Sequence, residues 1–153
     1  MNNKTNSIKH LGRKMDMGSN IQDLWIMQDG GAVLFKHTRS DRVDSQLFGG
    51  FMSAINSIAA TFSKEGLNNF ELGDLRFYLM RQDGLLFVAN TNKNVKPQKV
   101  EKDIKENITK FVKKYPREVL HNWNGDLTFF NDFKNEIEET LEDPLTKLKS
   151  TLW

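Results

Sequence analysis

The stretch LRFYLMRQDGLLFVANTN, residues 75–92, contains two strand patterns separated by one turn signal. Its first half alternates two sets of side chains, Leu75, Phe77 and Leu79 against Arg76, Tyr78 and Met80. This period of two predicts a β-strand. Asp83-Gly84 is a dipeptide typical of hairpin turns. The second half, Leu85–Ala89, is apolar on both faces, which predicts a strand covered from both sides and therefore near the middle of a sheet.

A second hairpin is predicted upstream of this stretch. Ile21–Gln28 reads as a strand, and its segment Leu24–Met27 is apolar without interruption. Asp29-Gly30-Gly31 is a tight-turn signal, and Ala32–Phe35 continues as the second strand. A further short strand, Phe70–Leu72, precedes the stretch at residues 75–92. The chain thus has two predicted strands before its first helix and three after it.

Three helices complete the pattern. Asp44 is a good N-cap for the first helix, and we expect Gly66 to end it as a C′ glycine. Pro97 opens the second helix and Pro116 stops it. Its apolar positions recur at about 100° per residue, which indicates a core-facing side made of Val100, Ile104, Ile108, Phe111, Val112 and Tyr115. A connector with a turn at Asn124-Gly125 then leads to a last helix from about Thr128 to Glu142, whose predicted core face is Phe129, Phe130, Phe133, Ile137 and Leu141.

The order of elements is β-β-α-β-β-β-α-α, which predicts an α+β fold. The first and fifth strands are apolar on both faces, so we place them side by side and obtain the sheet order 2-1-5-4-3. The sheet is mainly antiparallel, with the direction across the central pair left open. One helix covers one face and two cover the other, as an α/β/α sandwich. We expect a flexible basic tail over residues 1–20, the domain over 21–142 and a short amphipathic segment over 143–153.

Composition excludes several classes of protein. A chain of 153 residues with 38% hydrophobic residues and a net charge of +2 suits one globular domain and does not indicate nucleic-acid binding. It has no cysteine, which excludes disulfides and thiolate chemistry. No apolar run reaches the length of a membrane span. We expect a cytoplasmic protein, with peripheral membrane contact through the basic tail as the less favoured alternative.

Catalytic patterns are missing from the sequence. His10, His37 and His121 have no metal-ligand spacing. No phosphate-binding loop is present, and Asp29-Gly30-Gly31 joins strand to strand, without the helix N-terminus that binds phosphate. We therefore predict a protein that is not an enzyme and has no cofactor or metal.

Charge is unevenly distributed over the last two core helices. Residues 93–117 hold nine basic and three acidic side chains, whereas 126–143 hold seven acidic side chains and one lysine. Mutual attraction between neighbouring helices is the favoured interpretation. A basic strip that contacts acidic lipid or a partner is the alternative.

The chain from Ile21 to about Glu142 resembles a longin-type domain. Three segments carry the resemblance: the hairpin LWIMQDGGAVLF, the pair LRFYLMRQDGLLFVANTN followed by a long helix, and the final WNGDLTFFNDFKNEIEETL. Such domains occur in trafficking SNAREs, small adaptor subunits, TRAPP subunits and GTPase exchange factors. Roadblock and profilin-like folds are close relatives. No SNARE heptad repeat follows here, so a SNARE function is not expected.

The first helix is unusual because it carries no charged residue between Asp44 and Lys64 and has two adjacent glycines, Gly49 and Gly50. A helical wheel divides it into two arcs. We expect the large apolar arc to pack on the sheet, namely Leu47, Phe48, Phe51, Met52, Ile55, Ile58 and Phe62. The small arc would then face solvent, the N-terminal tail or C-terminal segment, or a helix of a partner, and we favour the partner.

The longin resemblance implies a binding surface on this helix and the neighbouring edge strand. It assigns partner binding to Gly49, Gly50, Ser53, Asn56, Ser57 and Ala60, together with Val33 and Phe35 on the second strand. The implied function is a non-catalytic interaction module that forms a homodimer or pairs with a related longin or roadblock domain, and acts in small-GTPase regulation or trafficking complexes. A roadblock-like scaffold subunit and a small-molecule-sensing domain are the alternatives.

Overall fold

The computed structural model describes residues 20–39 and 43–141, with the side chains of 138–141 outside that description. One five-stranded sheet contains β1 (Asp23–Gln28), β2 (Val33–His37), β3 (Asn69–Leu72), β4 (Leu75–Gln82) and β5 (Leu85–Asn92). Its order is β2-β1-β5-β4-β3, which confirms the predicted order. Every neighbouring pair is antiparallel, so the central pair β1/β5, whose direction the sequence left open, is antiparallel as well.

The helices are α1 (Ser45–Phe62), α2 (Pro97–Lys114), α3 (Arg117–His121) and α4 (Phe133–Leu141), with a 3₁₀ helix at Leu127–Phe130 between the last two. The prediction of one continuous last helix from Thr128 is therefore wrong. Asp126 caps a 3₁₀ turn by accepting from the Thr128 N–H at 3.0 Å, and the α-helix begins only after Asn131. The tighter 3₁₀ turn points Phe129 outward, where it is 42% exposed, while Phe130 and Phe133 are fully buried.

Two hydrophobic layers lie on opposite faces of the sheet. The larger layer, beneath α2 and α4, contains Phe87, Ile104, Phe111, Phe130 and Phe133 among its fully buried side chains. The smaller layer, beneath α1, is built on Trp25, Met27, Phe77, Leu79 and Val88. The alternation predicted for β4 is confirmed, because Phe77 and Leu79 enter the smaller layer while Tyr78 enters the larger one.

α2 and α4 neighbour each other, as their opposite charges suggested. The Lys114 ammonium lies 3.2 Å from a carboxylate oxygen of Glu136. Between these helices and the 3₁₀ turn, Tyr115 donates its hydroxyl to the Phe129 carbonyl at 3.2 Å. Burial, followed by the nearby carboxylates of Asp132 and Glu136, raises the pKa of Tyr115 to about 12. Burial and the two carboxylates each disfavour the charged tyrosinate form of the side chain.

The predicted start of α1 is confirmed, whereas its predicted end is wrong. Asp44 is the N-cap, as expected, and its carboxylate accepts the N–H groups of Gln46 and Leu47 at 3.0 Å each. The expected C′ role of Gly66 is wrong. α1 already ends at Phe62 with Ser63 as its C-cap, and Gly66 has a φ of +72° in the turn that follows.

Candidate interaction surface

α1 is rotated about its axis relative to the orientation that the helical wheel predicted, so that only part of the predicted core arc faces the sheet. Gly49 and Met52 are its buried residues, and Phe48 packs beside them with its ring 4.4 Å from that of Trp25. Four side chains expected in the core are instead exposed, by 76% for Leu47, 50% for Phe51, 60% for Ile58 and 87% for Phe62. The prediction that this apolar arc faces the sheet is therefore wrong for these four residues, whereas it is confirmed for Phe48 and Met52.

A close approach of two backbones fixes the orientation. A Cβ atom added at Gly49 would lie 2.1 Å from the carbonyl oxygen of Gly31 and 2.9 Å from a methyl carbon of Val33. Gly31 itself has a φ of +94° in the β1–β2 turn, a conformation that favours glycine. Only a helix position without a side chain can lie this near the turn, so Gly49 is the residue that must face it.

Polar contacts hold the same side of α1 in place. The Ser53 hydroxyl donates to the carbonyl oxygen of Asp29 at 2.7 Å. Further along, the Arg81 guanidinium donates to the Asn56 side-chain oxygen and, at 2.7 Å, to the carbonyl of Leu67. Partial burial lowers the pKa of Arg81, and the carboxylate of Asp29 opposes that shift. Polar side chains thus attach this side of α1 to the β1–β2 turn and to Arg81.

The structure separates the residues predicted to bind a partner. Gly49, Ser53 and Asn56 face the domain itself and are occupied there. Gly50, Ser57 and Ala60 are exposed. Any binding role of these residues stays a prediction, but the exposed three are the ones within reach of a second molecule.

β2 lies at an edge of the sheet, as predicted, yet the side chains named on it belong to the core. Val33 is 4% exposed on the α1 side. Phe35 is 7% exposed on the opposite side, where its ring packs edge-on against Phe133 at 5.2 Å. Consequently, β2 can offer a partner its backbone edge but neither of these two side chains.

The outward face of α1 joins an apolar stripe to a row of small residues. The stripe consists of Leu47, Phe51, Ile58 and Phe62. Beside it lie Gly50, Ala54 and Ser57, all exposed and spaced three or four residues apart on the same side of a helix. Nothing lies within 4 Å of the position that a Cβ on Gly50 would occupy. We call this set the α1 outer face. It has no charged side chain, and the small row leaves room for another helix to approach the stripe closely.

Sequence reasoning missed the stripe because both arcs of α1 are free of charge. Periodicity shows that two faces exist and cannot tell which one faces the sheet. The available signal was the pair of glycines, one in the Asp29–Gly31 turn and one in the helix, since glycine is the residue that permits close backbone contact.

Within residues 20–39 and 43–141, no group of three or more His, Cys, Asp and Glu side chains is placed to hold a metal ion. None of the helices described there is both long and apolar enough to cross a membrane.

Comparisons with known proteins identify the fold. No protein-family model matches the chain, and no curated protein matches it. Among solved structures, MglB from Myxococcus xanthus superposes with a TM-score of 0.52 at 11% identity, over 66% of this chain and 90% of that chain. The chain has a longin/roadblock-type fold.

Two further structures support the same assignment. The gliding protein MglB from Thermus thermophilus gives a TM-score of 0.51 at 9% identity, over 63% of this chain and 79% of its own. A roadblock/LC7 domain from Streptomyces avermitilis gives 0.51 at 12% identity, over 63% and 85%. At such low identity these similarities establish the fold and leave function to be argued from the surface.

Proposed function

We propose that this protein is a non-catalytic interaction module that dimerises through the α1 outer face, with a second copy or with a related longin or roadblock domain. The observation that carries the proposal is the exposure of four large apolar side chains on one uncharged helix. Monomeric proteins rarely expose a contiguous apolar patch of this kind unless it binds something.

The geometry suits a helix-on-helix contact. α1 has 18 residues and is therefore about 27 Å long, enough for two copies to lie side by side over several turns. Burying each large apolar side chain contributes about 1.5–3 kcal/mol. Eight such side chains in a symmetric pair would then offset the association cost of about 4–15 kcal/mol. Gly50, Ala54 and Ser57 would permit the close axial distance, and they lose little side-chain entropy on binding.

The longin resemblance extends the proposal to regulation of a small GTPase or to a trafficking-like complex, with this domain as the binding component. A roadblock-like scaffold without a GTPase partner is the second candidate, and the similarity to roadblock/LC7 and MglB structures favours keeping it. The sensing alternative requires an enclosed apolar cavity, whereas four cavities lined by described residues are open surface grooves.

The dimer is tested by mass in solution. Phe51→Glu with Ile58→Glu places two carboxylates on the outer face, at positions where neither side chain supports the core. Val119→Glu, at an exposed apolar position on α3, is the matched control. Sedimentation at high micromolar concentration should give a dimer for the wild type and the control, and a monomer for the double variant. A monomeric wild type would contradict the proposal for a homodimer, and an unchanged dimer in the double variant would move the interface away from α1.

The GTPase part is tested separately. A panel of small GTPases, each loaded with GDP or with a non-hydrolysable GTP analogue, is measured for binding to the immobilised wild type. Binding that depends on the nucleotide state supports GTPase regulation. Equal or absent binding in both states across the panel favours the scaffold.

A further inference from the structure

The outward side of α2 carries a row of lysines. The opposite side of this helix packs on the sheet through Val100, Ile104 and Phe111, which are fully buried. The lysines recur three to five residues apart, and at about 100° per residue this spacing places them within one half of the helix circumference, away from the packed side. They are Lys99, Lys102, Lys105, Lys110 and Lys113, of which Lys102, Lys105 and Lys113 are exposed and the other two half-buried. We call this set the α2 lysine face.

The acidic helix α4 does not neutralise this face. Its Glu136 pairs with Lys114, which lies beside α4 and outside the set. None of the five lysines of the face has an ion pair with a carboxylate among the described side chains. Glu101 and Glu106 share the outward side of α2, so five lysines against two glutamates leave the face with a net charge of +3. The attraction between α2 and α4 therefore accounts for Lys114 and leaves the α2 lysine face available.

From this geometry we propose that the α2 lysine face binds the surface of a membrane that contains anionic lipids. The lysine ammonium is a compact charge on a flexible stem, so it is attracted to a negative surface without a fixed bonding geometry. A membrane surface is broad and negatively charged throughout, so it can contact all lysines of one helix side together. The face lies on the opposite side of the sheet from the α1 outer face, and its role goes beyond the proposed dimer.

An acidic protein fits this face less well than a membrane does. Protein interfaces are depleted of lysine, and their affinity comes mainly from buried aromatic, apolar and arginine side chains. No such side chain is among the described residues that line the groove along this face, which are Gln98, Glu101, Lys102, Lys105, Glu106, Thr109 and Lys110.

A nucleic-acid duplex also fits less well. The major groove of a duplex admits an α-helix when the helix can enter it. α2 has one side packed on the sheet and α4 beside it, so it offers one side only and cannot enter a groove.

The expected affinity follows from the charge. Each lysine near an anionic membrane strengthens binding by about fivefold, so a net charge of +3 corresponds to about 100-fold. Salt should weaken this attraction, because the Debye length falls from about 10 Å at 0.1 M salt to about 3 Å at 1 M.

The test is sedimentation of the full chain with sucrose-loaded vesicles. One set of vesicles contains phosphatidylcholine with about one third phosphatidylserine, and the other contains phosphatidylcholine alone. The protein should bind the anionic vesicles about 100-fold more tightly at 0.1 M salt, and about 1 M salt should remove the difference. Equal binding to both kinds of vesicle, or binding that salt does not weaken, would overturn the proposal.

Three double variants localise the binding. Lys102→Glu with Lys113→Glu should weaken binding to the anionic vesicles by at least about 25-fold. Arg39→Glu with Lys64→Glu makes the same change in net charge at exposed positions outside α2 and should weaken it by less than about threefold. Lys102→Arg with Lys113→Arg keeps the charge and should bind like the wild type. Equal losses in the two glutamate variants, or a loss in the arginine variant, would contradict binding by the charge of this face.

Two competitors test the choice of a membrane. Polyglutamate represents an acidic protein, and duplex DNA represents a nucleic acid. At the same salt and the same concentration of negative charge, the protein should bind both more weakly than it binds the anionic vesicles. Tighter binding to either competitor would overturn the assignment to a membrane.

These outcomes are separate from the α1 dimer, because α1 and α2 lie on opposite faces of the sheet. The Lys102→Glu, Lys113→Glu variant should keep the wild-type mass in solution. A fall in its mass would show that the lysine face joins copies of the chain, and it would overturn the proposal. A monomeric wild type that binds anionic vesicles would refute dimerisation alone.

Discussion

Replacing the two adjacent glycines of α1 one at a time should change stability in opposite directions. Gly49→Ala and Gly50→Ala are the same chemical change at neighbouring positions of one helix. At position 50 the added methyl group enters open space, whereas at position 49 it would lie 2.1 Å from the Gly31 carbonyl oxygen. Any difference between the variants therefore reports the close contact between α1 and the β1–β2 turn.

The magnitudes follow from helix propensity and overpacking. Alanine in place of glycine favours a helix by about 1 kcal/mol, so Gly50→Ala should stabilise the protein by about that amount. Gly49→Ala gains the same propensity. The new methyl group must be accommodated by moving α1 away from a backbone atom, and overpacking of this kind costs about 1–3 kcal/mol or more. Because the obstacle is a backbone carbonyl oxygen and not a flexible side chain, the overpacking cost should lie near the upper end of this range. We expect Gly49→Ala to destabilise by about 1–2 kcal/mol.

Urea denaturation measures both changes, provided that the wild type and both variants are compared at a protein concentration where all three are monomeric, since dimerisation adds to apparent stability. The free energies of unfolding of the two variants should differ by about 2–3 kcal/mol. Thermal midpoints should move in opposite directions, by about 2–4 °C for each kcal/mol in a domain of this size. Equal stabilisation by both alanines would refute the orientation of α1, because it would mean that Gly49 also faces open space.

Three further predictions concern single groups. Because the folded-state pKa of Tyr115 is about 12, above its ordinary value of 10.0, the wild type should lose stability as pH rises from about 10 to 12, and Tyr115→Phe should remove that dependence in urea denaturation at each pH. Burial, partly offset by the hydrogen bond from the Asn20 amide, raises the pKa of Asp103, so the charged carboxylate costs stability at pH 7. Asp103→Asn should therefore raise the melting temperature at pH 7. This gain should vanish as the pH falls through the folded-state pKa of the carboxyl group. The buried Trp25 indole N–H has no hydrogen-bond partner in the described residues, so Trp25→Phe should cost only about 1 kcal/mol in urea denaturation, well below the cost of Trp25→Ala.

The sheet could be predicted from the sequence because the residue pattern of each strand and each turn is enough to recognise that element. Leu24–Met27 and Leu85–Ala89 are apolar at every position, and both strands lie at the centre as that pattern requires. The turns at Asp29–Gly31 and Asp83-Gly84 fixed which strands are connected by hairpins. For α2, the apolar positions stand out against lysines and glutamates, so Val100, Ile104 and Phe111 were placed in the core correctly.

The orientation of α1 depended on information that is not local. Charged residues usually mark the solvent side of a helix, and α1 has none between Asp44 and Lys64. Side-chain size was then the only remaining criterion for choosing the buried arc, and it favoured Leu47 and Phe51 for the core. The space under the helix is already occupied by the Trp25 and Phe77 rings, with centroids 6.3 Å apart, and by the turn at Gly31. Which arc fits that space is a property of the assembled hairpin and cannot be read from the helix alone.

The corrected orientation also explains why two glycines stand together. Gly49 permits the backbone of α1 to contact the β1–β2 turn, and the fold of the single domain requires this contact. Gly50 lies about 100° further around the helix, on the outer face beside the apolar stripe, where it leaves a gap in the surface. In the proposed dimer, Gly50 serves association, because in a monomer alanine would be the more stable choice at that position. A glycine that weakens its own helix, next to four exposed apolar side chains, is what a surface selected for close helix contact should contain. Gly50→Ala should therefore separate the two properties, by raising the stability of the monomer while weakening the dimer.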